Sequence, residues 1–249
     1  KLLQGTASLE FWATYDNAEV EAYLAEANAT LAELLADTEE AVAEEAAPAE
    51  GEDLLAEELK QAENDAAAEE AYRKQNPLFS VLQPSGARGY ACIGYANYAD
   101  TAQVNKYISM AQARGIFPPE FSAMWSVKPS QAVANNENIY ELVAIKAASR
   151  DGKAPLDGGV VTDARVSYGN TGGNPSVSMS MNAEGANVWA RLTKDNIGKQ
   201  VAIVLDGMVY SYPNVNGKID GGQSQITGKF TLEEAEDLAN VLKSGKLPA

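Results

Sequence analysis

The sequence predicts an α+β fold, because strand-like and helix-like segments are mixed along it without strict βαβ alternation. Local patterns in the C-terminal part support this class. Asp206-Gly207 lies between apolar runs and is typical of a β-hairpin, since a type I′ turn needs positive φ at both central residues. Thr231 and Glu234 have the spacing of a helical capping box, and an apolar stripe runs from there to Leu242. We therefore expect a hairpin and a capped helix here.

Near the N-terminus, Ala7–Ala13 is expected to be a strand, because Leu9 and Phe11 alternate with polar or mixed positions. The segments next to it in the sequence are helical. Its strand partner must therefore lie far away along the chain.

The net charge of −16 is concentrated in one acidic segment. Residues 16–73 carry 19 acidic and 2 basic side chains, whereas the rest of the chain is close to neutral. Periodic apolar residues predict helices over Asn17 to about Ala47 and over Asp53 to about Lys74. The helices suggest an αα-hairpin, and a solvated or partly disordered acidic tract is the alternative. Because the segment repels polyanions, we expect no nucleic-acid partner.

Between residues 77 and 198 the pattern predicts several strands and two helices. Asp100 is expected to cap the first of these helices and Gly115 to end it. The strands are expected at 77–84, 90–95, 121–127, 139–146, 160–162, 163–168 and 176–181, and the helices at 101–113 and 183–195.

Residues that commonly carry catalysis or bind metals are scarce in this chain. It contains no histidine, which excludes Ser-His-Asp and Cys-His machinery and the commonest zinc ligand. Cys92 is the single cysteine, so no internal disulfide can form, and a buried structural thiol is expected. No P-loop motif occurs, and the glycine-rich residues 169–174 are interpreted as a strand connector.

Three acidic side chains outside the acidic segment are interpreted as structural. They are Asp163 before a strand, Glu184 in a first helical turn and Asp206 in the hairpin turn. The tryptophans Trp12, Trp125 and Trp189 are expected to anchor a core or an interface. We predict no catalytic site, no cofactor and no metal site. The enzyme alternative, a hydrolase built from acidic residues alone, is disfavoured by the missing histidine.

No stretch of the sequence has the roughly 18 to 20 apolar residues needed to cross a bilayer. The chain begins at Lys1 without Met and without a signal-peptide pattern. We therefore expect it to be an excised part of a longer protein.

Six blocks of the C-terminal half resemble the SecD family, in the family's order. SecD is a bacterial protein-export membrane subunit that some bacteria fuse to SecF. The blocks are residues 163–167, 182–186, 193–199, 202–211, 222–228 and 238–249. The start, Leu2–Phe11, is also similar to the family, whereas residues 17–136 depart from its commonest pattern by being longer and very acidic.

The resemblance implies the first large periplasmic domain of the family, in which a head is inserted into a ferredoxin-like base. The base would comprise residues 1–16 and 222–249 and be incomplete. The head would comprise residues 17–221 and include the acidic helical segment 17–75. Within the base, Ala7–Ala13 would pair with Ser224–Gly228.

The resemblance also implies a function and partners. The parent protein would assist proton-gradient-driven export from the bacterial inner membrane, with this chain on the periplasmic side. Its partners would be unfolded secreted preprotein, SecF and the SecY translocon. The alternative is a periplasmic porter domain of an efflux-type transporter of the same superfamily, although the Ile226-Thr-Gly and Leu242-Lys-Ser-Gly blocks favour the export family.

A hinge between base and head is expected where the chain passes from one to the other. One candidate segment comprises Thr14, Tyr15, Asp16 and Asn17, and the other comprises Gly221 and Gly222. Motion at these two segments would transmit force between the base and a head that contacts emerging preprotein.

Overall fold

The computed structural model of the chain describes residues 8–40, 67–130, 138–148, 152–168, 174–227 and 230–244. Helices and mainly antiparallel strands are mixed along it, which confirms the predicted α+β class. The helices are α1 (Asn17–Glu40), α2 (described over residues 67–75), α3 (Thr101–Ala113), α4 (Ala183–Asp195) and α5 (Leu232–Ser244). The strands are β1 (Leu9–Ala13), β2 (Gln83–Pro84), β3 (Cys92–Asn97), β4 (Phe121–Trp125), β5 (Ile139–Lys146), β6 (Leu156–Asp157), β7 (Val161–Ser167), β8 (Ser176–Met181), β9 (Val201–Leu205), β10 (Met208–Ser211) and β11 (Gln223–Ile226).

The described residues form two compact units. The first unit takes its residues from Lys1–Val20, Ser85–Tyr95 and Glu120–Ala249. The second takes its residues from Glu21–Pro84 and Ala96–Pro119. The predicted division into base and head has other boundaries, and it stays a prediction.

The central sheet of the first unit has the strand order β10-β9-β1-β6, with antiparallel neighbours. β9 and β10 form the predicted hairpin. Asp206 and Gly207 have φ values of 50° and 79°, as a type I′ turn requires. The Asp206 side chain also accepts a hydrogen bond of 2.8 Å from the backbone N–H of Ser8, which continues the pairing beyond β1.

The predicted pairing of Ala7–Ala13 with Ser224–Gly228 is wrong. β1 pairs with β9 over five residues, from Leu9 opposite Leu205 to Ala13 opposite Val201, whereas β11 pairs with β8. β9 is apolar at all five positions, which is typical of a central strand that is buried on both faces. β11 carries three polar residues and one apolar residue, Ile226, and its exposed positions alternate with more buried ones, which suits a sheet edge.

Alternate residues of β9 point into two separate hydrophobic cores. Val201 and Ile203 join Leu9 and Phe11 in the larger core. Ala202 and Val204 join a smaller core on the other face of the sheet, together with Trp12, Val143, Ile145 and Val209. β1 and β9 therefore separate the two cores, and each face of this strand pair is buried.

A second sheet in the first unit has the order β11-β8-β7 and is covered by α5. The capping box of α5 forms as predicted. The Thr231 N–H donates to Glu234 Oε2 at 2.9 Å, and the Glu234 N–H donates to Thr231 Oγ1 at 3.2 Å. α5 then places Leu238 and Leu242, which have no exposed surface, against the sheet.

A third sheet contains β3, β5 and β4 in this order, with β4 and β5 in register from Phe121 opposite Lys146 to Trp125 opposite Leu142. The predicted strands 160–162 and 163–168 form the single strand β7, which a 3-10 turn at Gly158–Val160 precedes. The predicted connector at residues 169–174 lies mostly outside the described residues.

In the second unit, α1 buries an apolar stripe that includes Leu24, Ala27 and Leu31. The side chain of Asn28 holds a turn against this helix, because its Oδ1 accepts hydrogen bonds from the N–H groups of Leu78 and Phe79. Helix α1 and the helical residues 67–75 agree with the two predicted acidic helices. Residues 41–66, which include the predicted break, lie outside the described residues.

Two local predictions in this part of the chain are wrong. Residues 77–81 form turns rather than a strand, although Leu78 and Leu82 are buried as expected. Asp100 makes no capping hydrogen bond, because a 3-10 turn at Tyr98–Asp100 leads directly into α3. The side chain of Asn97 caps that turn instead, by accepting from the N–H of Ala99.

None of the helices in the described residues is both long enough and apolar enough to span a lipid bilayer.

Replacing Leu238 with Ala should destabilise the first unit by about 2–5 kcal/mol, because the truncated side chain leaves a cavity in a fully buried site. Chemical denaturation of the purified chain would measure this loss. Leu232→Ala in the same helix is the control, since Leu232 is 46% exposed and should change stability little. Equal effects of the two substitutions would contradict the assigned core.

Candidate functional site

The first predicted hinge segment is fixed by hydrogen bonds to the body of the first unit. Thr14 is buried, and its Oγ1 donates to the carbonyl oxygen of Gln200 at 2.8 Å. The Tyr15 N–H donates to Ala144 O at 3.0 Å, and the Asn17 N–H donates to Tyr90 O at 2.8 Å. Any hinge motion at this segment must first break these bonds.

Buried side-chain amides reinforce the same junction. The Asn17 Nδ2 group donates to the carbonyl oxygen of Ser85, and Gln200 Oε1 accepts from the N–H of Ala91 at 2.6 Å. Both amide side chains are buried, so loss of either partner would leave an unpaired polar group away from water. The junction is therefore a polar network that joins three stretches of chain.

An ion pair lies at the surface of this junction. Lys199 Nζ lies 2.9 Å from Glu19 Oε1. Burial raises the pKa of Glu19, but hydrogen bonds from Lys199 and the Asp16 backbone outweigh that effect and hold the pKa below its ordinary value. Asp16 lies immediately before α1 and caps it, since its Oδ1 accepts from the N–H of Ala18 at 2.8 Å. The hydrogen-bonded pair therefore helps to fix the start of α1.

The second predicted hinge segment, Gly221 and Gly222, lies elsewhere in the first unit, against α4 and β8. Both residues have positive φ, 81° and 68°. The carbonyl oxygen of Gly222 accepts from the Met181 N–H at 2.8 Å. A Cβ atom on Gly222 would lie 2.8 Å from the Cβ of Ala186, whereas one on Gly221 would meet open space. The two glycines therefore differ, because Gly222 packs closely against Ala186 and Gly221 does not. Whether either segment acts as a hinge stays a prediction.

A cavity of about 480 Å³ lies between β1, β9, α4 and β11 in the first unit. We call it the apolar groove. It is lined by Phe11, Met179, Trp189, Thr193, Val201, Ile203, residues 213–219 and residues 224–227. One wall is thus a sheet edge, a second is the irregular segment 213–219, and the floor is apolar.

Trp189 positions the floor of the groove. Its ring meets that of Phe11 edge to face, with centroids 5.4 Å apart, and its Nε1–H donates to Ser224 Oγ at 2.7 Å. Thr193 Oγ1 accepts from the N–H of Ile219 at 3.0 Å and so holds the segment 213–219 in place. The prediction that Trp189 anchors a core agrees with its 6% exposure.

The β11 wall offers backbone groups as well as side chains. β11 is an edge strand of its sheet, with β8 as its neighbour on one side, and residues 224–226 line the groove. An edge strand presents unpaired N–H and C=O groups that can pair with another extended chain. Among the described residues, the arrangement therefore combines apolar lining with a strand edge that pairs with no further strand.

The three acidic residues interpreted as structural from the sequence lie apart from this groove. On β7, the exposed Asp163 has its Oδ2 atom 3.9 Å from Arg165 Nε, Glu184 lies in the first turn of α4, and Asp206 forms the hairpin turn. Within the described ranges, no three His, Cys, Asp or Glu side chains lie close enough together to hold a metal ion.

The sequence did not identify the groove itself. Trp189 was the available signal, because a buried indole N–H needs a hydrogen-bond acceptor, and Ser224 supplies it from a distant strand. The polar composition of β11, with Ile226 as its one apolar residue, was a second signal for a sheet edge. Neither signal shows by itself which elements enclose the cavity.

The comparisons with known proteins identify the class. Residues 137–249 match the family model described as SecDF, P1 head subdomain. Protein translocase subunit SecD from Rhodothermus marinus is 42% identical over 177 residues, which are 71% of this chain and 27% of that protein. SecD from Leptotrichia buccalis is 50% identical over 162 residues (56% and 40%), and SecD from Desulfurispirillum indicum is 47% identical over 186 residues (73% and 35%).

Two solved structures are also similar. A crystal structure of SecDF, a translocon-associated membrane protein from Thermus thermophilus, is 44% identical, with 39% of this chain and 13% of that chain covered and a TM-score of 0.36. A structure described as a membrane component SecDF that enhances protein export is 26% identical, with 59% and 70% covered and a TM-score of 0.34.

The chain thus carries a P1 head subdomain of a protein translocase subunit. It belongs to the SecD family, and the resemblance seen in the sequence is confirmed. The chain spans 27–40% of the length of the three curated relatives described above. The matched region 137–249 includes both sides of the predicted boundary at residue 222, so that boundary stays a prediction.

Replacing Gly222 with Ala should destabilise the chain more than replacing Gly221 with Ala. Both substitutions place a side chain in the left-handed region, at a cost of roughly 1–2 kcal/mol. Only Gly222→Ala also collides with Ala186, which adds about 1–3 kcal/mol of overpacking. Thermal or chemical unfolding of the two variants measures the difference, and equal losses would contradict the close contact.

The thiol of Cys92 should be unreactive in the folded chain. Burial first, and the charge of Glu141 second, raise its pKa to about 12. Because the thiolate is the nucleophile, labelling with a thiol reagent at pH 8 should be slow until denaturant unfolds the chain. Between about pH 8.5 and 12 the thiol keeps its proton in the folded state but loses it in the unfolded state. The thiol's contribution to stability should therefore fall as pH rises above about 8.5. Fast labelling without denaturant would contradict its burial.

Proposed function

We propose that this chain is part of the periplasmic domain of a Sec translocon accessory subunit, and that it contacts unfolded secreted preprotein as the preprotein emerges. Membership of the SecD family supports the first part of the proposal. The apolar groove beside the edge strand β11 is the observation that carries the second part.

The groove suits a ligand whose sequence varies. Exported polypeptides differ in their side chains but share one backbone, and an unfolded segment can pair with a sheet edge through main-chain hydrogen bonds alone. Trp189, Val215 and Ile219, which keep some surface at the groove, would then contact one apolar side chain of the segment.

The expected affinity suits transport. Full burial of one Leu or Phe side chain contributes about 1.5–3 kcal/mol, which is too little for a long-lived complex. A few main-chain hydrogen bonds add about 0.5–1.5 kcal/mol each. The contact is therefore weak and reversible, and a polypeptide held in this way can be released and moved on.

The remaining parts of the proposal concern the parent protein. The chain acts by binding and not by catalysis, and the proton gradient drives export through membrane segments outside it. SecF and the SecY translocon are the partners of the parent protein in the inner membrane. Motion at Thr14–Asn17 or at Gly221-Gly222 transmits force between base and head.

Photo-crosslinking to a stalled export substrate tests the preprotein contact. A photoreactive residue placed at Asn216 or Gln225, which are exposed and line the groove, in the full-length parent protein should crosslink to the substrate. Arg165 on β7, at the opposite edge of the same sheet, is the matched control and should give little product. Crosslinks at Asn216 and Gln225 no stronger than at Arg165 would overturn the proposed contact.

A further inference from the structure

A second cavity of about 370 Å³ adjoins the apolar groove in the first unit. Tyr210, Tyr212 and Phe230 supply aromatic rings to its wall, and Glu141 and Glu234 supply carboxylates. We call it the acidic aromatic cavity. The combination of ring faces and carboxylates is the chemistry that attracts an ammonium or guanidinium group.

A lysine of the chain itself already lies over one of these aromatic rings. Lys128 also lines the cavity, and its Nζ lies 5.4 Å from the centroid of the Tyr210 ring and 3.4 Å from Asp237 Oδ2. Burial lowers the pKa of Lys128, but Tyr210 and Asp237 outweigh that effect and hold the pKa above its ordinary value. The rim of the cavity therefore stabilises a positive charge.

Two further polar groups lie in the wall of the cavity, the Glu141 carboxylate and the Tyr210 hydroxyl. Glu141 is held in one orientation, because Tyr212 Oη donates to its Oε2 and Ser130 Oγ donates to its Oε1 at 2.6 Å. The hydroxyl oxygen of Tyr210 is buried in the wall, and its interaction with Lys128 helps to raise the pKa of that lysine. The wall thus already stabilises one donor of the chain itself.

The two cavities adjoin one another, since Pro213 and Thr227 line both of them. Side chains two residues apart on an extended chain lie on the same face, at a rise of roughly 3.3 Å per residue. One extended segment can thus place an apolar side chain in the groove and another side chain of the same face in the adjoining cavity.

We propose that the acidic aromatic cavity is a subsite for a lysine or arginine side chain of the same polypeptide that occupies the apolar groove. This inference rests on the proposed function, because it takes the groove as the polypeptide site. The site as a whole then prefers segments in which a basic residue lies about two positions from a large apolar residue.

Two fluorescent nonapeptides test the subsite on the 249-residue chain. One has a central Phe flanked, two positions away on each side, by Arg in a Gly/Ser background. The other has citrulline, the uncharged analogue of arginine, at both positions. The Arg peptide should bind roughly five to ten times more tightly in a fluorescence anisotropy titration.

Charge-neutral variants locate the effect. The double variant Glu141→Gln, Glu234→Gln should reduce that preference to near one, while glutamine keeps an acceptor for Tyr212 and for the capping box. Glu233→Gln is the matched control, because Glu233 is exposed in the same helical turn and does not line the cavity. It should keep the full preference.

The outcomes separate the two proposals. Equal binding of both peptides to the unmodified chain would overturn the basic subsite and leave the groove intact. An unchanged preference in the double variant would also overturn the subsite, since the preference would then arise elsewhere. Failure of both peptides to bind would overturn the groove and the subsite together.

Discussion

The antiparallel pairing of β1 with β9 is the constraint on which the first unit depends. It joins Leu9–Ala13 to Val201–Leu205, two segments separated by most of the chain, in a register that turns alternate residues of each strand to opposite faces. One face supplies Phe11 and Ile203 to the larger core, and the other supplies Trp12 and Val204 to the smaller core. A shift of one residue would exchange the two faces and place the wrong side chains in both cores.

The groove follows from the same pairing. Since β1 pairs with β9, β11 has β8 as its one neighbour among the described strands, and residues 224–226 of β11 line the space beside Phe11 and Trp189. The pairing expected from the family resemblance, between β1 and β11, would have used that edge and closed the space. The error in predicting the strand order and the failure to identify the groove therefore have a single cause.

The sequence predicts features whose geometry depends on residues that are close together in the chain. The Asp206-Gly207 turn, the capping box of Thr231 and Glu234, and strand β5 form as expected, because their geometry depends on residues a few positions apart. Asp100 shows the limit, since a cap also depends on how the chain enters the helix. Strand partners and the enclosure of the groove depend on which apolar faces remain to be buried, and no short window of sequence contains that information.

The two glycines of the predicted second hinge differ in their surroundings. Gly221 has open space where a side chain would begin. Gly222 lies against Ala186 and accepts a hydrogen bond from Met181, which ties the start of β11 to α4 and β8. A motion that begins at Gly221 would leave β11 attached to its sheet, whereas residues 213–219, which form another wall of the groove, would move relative to β11. Under the proposed function, a residue with open space followed by an anchored one would therefore couple movement of the chain to the shape of the groove.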